Sequence, residues 1–475
     1  MLEIDRDAIA QRLALDNPWW QSAEAPESLA EWPRRAYFAP LSELVRQSVQ
    51  RAIVLLGARR VGKTTLLRQL IYDGMRKGDL GPVLYASVDA PTYSGLRLED
   101  LLGLFEELTP HDPRARRLVV FDEIQYLPDW ERHLKDLVDT HPNTRFIASG
   151  SAGAALKRKS AESGAGRFTD FELPPLTFAE FLDFAGATGE VLDSATVPTQ
   201  VRNIAQLNEH FVSYVNFGGY PEVVRNAAIR SDMERFVRND IVQKVLLQDL
   251  PTLYGITNIP ELNRLFTTLA YNSGQLISLE ALAGNAGIAK ATIARYLEYL
   301  EAAFLIVRVR RVDDSARRLK RERNFKVYLC NPSMRAALFG PVTKDEDALG
   351  ALAETALVTQ YLHAPLFSDL CFARWKDGEV DIVRVDPTRQ EPLWALEVKW
   401  SDRACNSESD WAPSLEFAKR NGLDTVFMTS LTISRTSEHG GIKRVVIPLA
   451  KLAYQIAQLS ANQELLRSTF GLPEA

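Results

Sequence analysis

Residues 57–64 read Gly-Ala-Arg-Arg-Val-Gly-Lys-Thr, two glycines five positions apart followed at once by a lysine and a hydroxyl. The pattern G-x-x-x-x-G-K-[ST] needs a strand before it and a helix after it. Both are legible, because residues 53–56 form a short continuous apolar run and residues 64–75 carry helical spacing. Gly57 and Gly62 let the backbone N–H groups curl around a phosphate chain at the positive end of the helix dipole. Lys63 is then placed for the β- and γ-phosphates and the Thr64 hydroxyl for Mg²⁺. Arg59, Arg60 and Thr65 complete the expected phosphate-binding set, so ATP with Mg²⁺ is the predicted ligand.

Three further segments, 83–88, 118–121 and 146–148, repeat the short, apolar, uncharged style of residues 53–56. Such strands suit a parallel sheet covered by helices on both faces. The run at 118–121 ends in Asp122-Glu123, and the carboxyl ends of such strands are where α/β sheets place ligand chemistry. Asp122 is expected to hold Mg²⁺ through water and Glu123 to polarise the attacking water. The alternative is an acidic cap on the following helix. Ser149 and Ser151 follow the next strand, as γ-phosphate sensors or as turn residues. Arg167 stands before a strand expected at 171–173, either as a γ-phosphate arginine acting in cis or on a neighbouring subunit, or as a plain surface side chain.

At 475 residues the chain exceeds a single hydrophobic core, so several domains are expected. Its formal net charge of -5 excludes a polycation, and any nucleic-acid contact must use a local basic patch. Three cysteines, Cys330, Cys371 and Cys405, suggest a reducing compartment without a disulfide framework. No apolar run approaches the roughly 20 residues a membrane-spanning helix needs, so the expected setting is cytoplasmic, with no membrane partner.

The expected organisation is an α/β chain in five parts. Residues 1–50 form a helical segment whose Trp19, Trp20 and Trp32 pack against the next domain. Residues 51–190 form the phosphate-binding core, 191–258 a helical lid, 259–340 a winged helix-turn-helix, and 341–475 a second α/β domain. The winged-helix reading rests on a helix, a short helix, a turn at Gly287, a longer helix over 289–303 and the apolar run 304–309. Thr292 and Arg295 on that longer helix are candidates for base contact. Residues 308–326 hold nine basic side chains against three acidic ones, a local balance of +6. That stretch, with Arg317 and Arg318 in its middle, suits DNA phosphates, or else a solvated or protein-docking loop.

Strand alternation over 394–400 sends Glu397 and Lys399 to one face and the apolar residues to the other. A neighbouring strand over 379–385 offers Asp381. Glu354 lies on a helix among apolar neighbours, a costly place for a carboxylate that is neither paired nor near a metal.

Asn17-Pro18-Trp19-Trp20, the GARRVGKTT loop, LVVFDEIQ, SGSAGAAL, AGRF with ELPPLTFAEF, GGYPEVV, and the late GEVDIV and ALEVKW together resemble one family. These are prokaryotic AAA-type ATPases fused to a C-terminal domain of unknown function with a restriction-endonuclease-like core. The resemblance spans most of the chain. It implies a PD-(D/E)xK nuclease-like site with Glu354, Asp381 and Glu397 as Mg²⁺ ligands and Lys399 orienting the nucleophile. Val380 stands where that signature's proline would be. Three readings follow: ATP-gated cleavage of nucleic acid, a ring-forming homo-oligomeric DNA motor with a non-catalytic holding domain, and a regulatory switch that binds a protein.

Overall fold

The computed structural model describes residues 6–461 apart from 23, 110–111, 113–114, 152–165, 194–199, 317–323, 344–347 and 365–369. The chain divides into two compact units, Met1–Pro174 and Pro175–Ala475.

The first unit is built on a five-stranded sheet, β1 (Ala52–Leu56), β2 (Val83–Ser87), β3 (Arg117–Asp122), β4 (Thr144–Gly150) and β5 (Phe168–Glu172), in the order β2-β3-β4-β1-β5. Every pairing is parallel. Every side chain of β1 and β3 is buried, which explains the unbroken apolar runs 52–56 and 118–121, since a parallel sheet is covered on both faces. At about 1.5–3 kcal/mol for each large apolar side chain removed from water, these two strands anchor the unit. Helices α1 (Arg6–Asp16), α2 (Phe38–Arg46), α3 (Lys63–Lys77), α4 (Leu98–Leu108) and α5 (Trp130–Thr140) complete it.

The edge strand β2 is closed by residues 17–20 rather than by another strand. The Asn17 amide donates to Tyr85 O at 2.8 Å and accepts from Tyr85 N at 2.6 Å, imitating one rung of a ladder. The indoles of Trp19 and Trp20 both donate to Val83 O, at 3.2 and 2.8 Å. The early tryptophans therefore pack against the sheet, as their sequence setting suggests, and they also satisfy an edge that would otherwise be open to pairing.

The second unit begins with α6 (Phe178–Phe184), the two-stranded pair β6 (Leu192–Asp193) and β7 (Gln200–Val201), and α7 (Ile204–Phe217). It continues through α8 (Ile259–Tyr271), β8 (Leu276–Ser278), α9 (Leu279–Ala286), α10 (Lys290–Ala302), β9 (Ile306–Val312) and β10 (Asn324–Leu329). After these come α11 (Ala348–Leu362), β11 (Leu370–Arg374), β12 (Glu379–Val385), β13 (Pro392–Glu397), α12 (Glu408–Asn421), β14 (Thr425–Ser430), β15 (Arg435–His439), β16 (Ile442–Pro448) and α13 (Leu449–Ala461). Nine strands form one mixed sheet, ordered β15-β16-β14-β13-β12-β11-β9-β10-β8.

The division at Pro174 differs from the boundaries read along the chain at 190, 258 and 340. Phe178, Phe181, Phe211 and Tyr214, from the segments read as core and lid, share one buried cluster with Leu357, Tyr361 and Tyr454 near the other end of the chain. Strands β8–β10 join the sheet of the last 130 residues through the parallel pair β9 and β11. Local sequence marks the elements, but only long-range packing determines which of them share a core. Among the described residues no helix is long and apolar enough to cross a membrane.

Candidate functional site

The loop between β1 and α3 holds the shape that its glycines allow. A Cβ on Gly57 would stand 2.3 Å from the carbonyl oxygen of Leu173, the residue that follows β5. Gly62 has φ 96°, in the left-handed region that favours glycine. Arg35, 96% buried, fastens the loop from outside the motif, donating to Val61 O at 2.6 Å and Pro174 O at 2.9 Å.

Asp122 gathers the next set of groups. Its Oδ2 accepts from Thr64 Oγ1 at 2.7 Å and from the Tyr85 hydroxyl at 2.7 Å. Its Oδ1 accepts from the buried Ser149 hydroxyl and from the Glu123 N–H at 3.1 Å. β3 and β4 are neighbours in the sheet, which is why the two consecutive strand ends converge here. Lys63, almost fully buried, donates to Gly57 O at 2.9 Å and Ala58 O at 3.0 Å.

Glu123 has φ 55° and accepts a hydrogen bond from Gln125, whose amide also donates to Ser151 Oγ at 3.2 Å. Burial raises the Glu123 carboxyl above its ordinary range, with Lys63 pulling the other way. Thr65 borders a cleft of about 290 Å³ beside the first turns of α3, also lined by Trp19, Trp32, Arg68 and Tyr72.

Lys63, Thr64, Asp122, Glu123 and Ser149 thus converge. Thr64 with Asp122 offers a hydroxyl and a carboxylate in contact, a donor set that fits a hard, oxygen-seeking cation such as Mg²⁺. Arg59 and Arg60 lie in the loop, Arg60 exposed with φ 64°.

Arg167 is not part of this site. It immediately precedes β5 and its carbonyl accepts from Ala52 N at the start of β1, whereas the phosphate loop leaves the far end of that parallel strand. A five-residue strand at about 3.3 Å per residue separates them, so the cis role is corrected. Arg167 pairs instead with Asp139 at 2.8 Å.

Residues 49–182 match the family described as an AAA domain. They form an AAA-type P-loop ATPase domain. Residues 208–345 match a domain of unknown function, DUF8612. That match lies over the middle of the chain and ends before Glu354. The chain is similar to an uncharacterized protein of Methanocaldococcus jannaschii, 26% identical over 342 residues covering 68% of this chain and 70% of that one. It is also 26% identical over 267 residues to an uncharacterized protein of Haemophilus influenzae, covering 55% of this chain and 62% of that protein's length. Among solved structures it is similar to AMPPCP-bound DnaA from Aquifex aeolicus, at 15% identity and TM-score 0.28, covering 55% of this chain and 86% of that one.

Around this site the residues missed by sequence reading are Tyr85 and Gln125, within the AAA-type domain, and Arg35, which precedes it. Tyr85 left a faint signal, a hydroxyl-bearing side chain inside the apolar run of β2. Arg35 left none, because its partners are carbonyls 26 and 139 positions away.

The second constellation lies in the other unit. β12 and β13 are antiparallel, pairing Ile382 with Leu396, so Asp381 adjoins Glu397. The Lys399 Nζ lies 3.1 Å from Glu397 Oε2 and 3.4 Å from Asp381 Oδ2, although β13 itself stops at Glu397. Glu354 arrives from α11 and accepts from Tyr328 OH at 2.6 Å. The four residues expected together are together, but a fifth stands among them. Lys326 Nζ lies 3.1 Å from Glu354 Oε1, 2.9 Å from Glu379 Oε1 and 3.6 Å from Asp381 Oδ1.

Burial alone would raise the Asp381 carboxyl, yet Lys399 and Lys326 hold it down to about 2. Burial, reinforced by Asp381, pushes Glu354 up to about 7 and Glu397 well above the carboxylate range. The donor set therefore does not fit a divalent ion. The oxygens facing the centre are already taken by ammonium groups, and among the described residues no three His, Cys, Asp or Glu side chains are arranged as metal ligands.

The expected basic wing is only partly described. Arg308 forms an ion pair with Glu301, Arg311 donates to Arg374 O at 2.7 Å and Lys326 is buried. Arg317, Arg318, Lys320, Arg321 and Arg323 lie outside the described residues.

Proposed function

We propose that the chain is an ATP-hydrolysing switch whose nucleotide state governs how its second unit holds nucleic acid. The convergence of Thr64, Ser149, Tyr85 and Glu123 on Asp122 carries the hydrolytic part. Lys63 would leave the Gly57 and Ala58 carbonyls for the β- and γ-phosphates, Thr64 and Asp122 would hold Mg²⁺, and Ser149 would report the γ-phosphate. Bound there, Mg²⁺ supplies positive charge that draws electrons from the phosphoryl group. Glu123, desolvated and therefore more basic than a surface carboxylate, would orient the attacking water and take its proton. The cleft lined by Trp19, Trp32 and Arg68 has room beside the phosphate loop for the nucleoside.

The holding part is supported by the order α8, β8, α9, α10, β9, β10, with a left-handed Gly287 (φ 66°) in the α9–α10 turn and β8, β10 and β9 paired antiparallel. That order is what supports the winged-helix reading. Ile293, Tyr296, Leu297 and Leu300 bury one face of α10, while Arg295 is exposed and Thr292 half-exposed. Cleavage finds support in the meeting of Asp381, Glu397 and Lys399, but Lys326 among them opposes a metal-dependent step, so holding is the better-supported role.

The test is retention of labelled duplex DNA on filters with ATP, ADP or no nucleotide. Wild type should show nucleotide-dependent retention, Lys63→Ala should lose that dependence, and Thr292→Ala/Arg295→Ala should lower retention under every condition. Retention indifferent to nucleotide and to both helix substitutions overturns the proposal.

A further inference from the structure

The acidic pocket of the second unit already contains a cation of its own. Lys326, on β10, is 96% buried, and its ammonium is shared by carboxylates from two other elements, Glu354 of α11 and Glu379 and Asp381 of β12. The ring of Phe372 lies 5.4 Å away, closing the apolar side. The oxygens of Asp381 and Glu397 have further partners. Asp381 Oδ2 accepts from Val398 N at 2.9 Å and from Lys399 Nζ at 3.4 Å, while Glu397 accepts from the buried Ser414 hydroxyl through Oε1 at 3.2 Å and from Lys399 through Oε2 at 3.1 Å.

A divalent ion at this place must displace water from itself and also the Nζ of Lys326 from three carboxylates. An ammonium buried this deeply cannot swing into solvent without breaking the packing around its stem.

We propose that Lys326 is the resident cation of this pocket, occupying the seat between Glu354 and Asp381 and closing the cluster to divalent metal. The lysine neutralises in place, and the pocket serves to tie β10, α11 and β12 together. This rests on the reading of the unit as a holding module, and it is read out by a metal count that is independent of DNA retention.

The pKa directions agree with the geometry. Burial works to lower the Lys326 ammonium, but Glu354, Asp381 and Glu379 outweigh it and raise it, so the charge is permanent at neutral pH.

The experiment counts Mn²⁺ bound to the full chain without nucleotide, by isothermal titration calorimetry and by electron paramagnetic resonance of free Mn²⁺. Because the nucleotide site also attracts the ion, the informative quantity is the difference between variants. The wild-type count should be unchanged by Asp381→Asn. Lys326→Met, which keeps the apolar stem, should bind one additional Mn²⁺, and that ion should be lost again in Lys326→Met/Asp381→Asn. A wild-type count that falls by one in Asp381→Asn overturns the proposal. So does a folded Lys326→Met, judged by circular dichroism, that gains no ion. If Lys326→Met does not fold, the comparison of wild type with Asp381→Asn decides alone. Loss of DNA retention without any change in these counts would sink the holding function and leave the resident lysine standing.

Discussion

Thr64 Oγ1 lies 2.7 Å from Asp122 Oδ2, joining the first turn of α3 to the last residue of β3 across 58 positions of sequence. Each side chain alone is an ordinary polar group. Together, with Lys63 and Glu123 as their chain neighbours, they would on the proposed reading divide the work of binding phosphate and activating water between two separable positions.

Lys63→Ala is expected to abolish ATP hydrolysis and to weaken nucleotide binding, because it removes the charge aimed at the phosphates. Glu123→Gln should bind ATP as wild type does and lower kcat by about 10²–10⁴-fold, the usual contribution of a positioned base. Fluorescent-nucleotide titration with steady-state phosphate release separates the two effects. Equal loss of affinity in both variants would remove Glu123 from water activation.

Gly57→Ala puts a methyl 2.3 Å from Leu173 O, a backbone atom that cannot rotate away. Stability should fall by about 1–3 kcal/mol, the usual cost of overpacking, and ATP affinity should drop as the loop shifts. Gly103→Ala is the control. Gly103 sits within α4, where an added Cβ meets nothing within 4 Å, and alanine there should be neutral or stabilising by about 0.5–1 kcal/mol. Urea unfolding of both variants is the measurement, and equal destabilisation would refute the steric account of Gly57.

Asp73, 95% buried on α3, tests how the N-terminal segment is held. Burial works to raise its carboxyl, but hydrogen bonds from Lys77 and Arg34 outweigh it and bring it from 3.8 to about 2. A carboxylate depressed in the folded state stabilises fully above its unfolded value. That contribution is then lost as pH falls from about 4 through about 2. The stability gap between wild type and Asp73→Asn, measured by urea unfolding, should therefore be widest near neutral pH and shrink steadily below pH 4. A gap independent of pH would show that the charge of Asp73 is not what matters.

The phosphate loop, the strands of the first sheet and the acidic end of β3 were legible in sequence because each is a local pattern. Five or six buried residues in a row announce a parallel strand, and a glycine pair with lysine and threonine announces a helix start shaped for phosphate. The β12–β13 hairpin was legible for the same reason: alternation alone put Glu397 and Lys399 on one face, although the strand ended earlier than expected. Tertiary structure decided what depends on partners far along the chain. It set Arg35 on the Val61 and Pro174 carbonyls and placed Arg167 at the far end of β5 from the phosphate loop. It brought Phe178 and Phe211 into one core with Leu357, and seated Lys326 among Glu354, Glu379 and Asp381. Nothing local distinguishes the buried Lys326 from its exposed basic neighbour Arg310. Only the packing of α11 and β12 around Lys326 determines which charge must find its counter-charge inside, because an unpaired ion cannot remain where water is excluded.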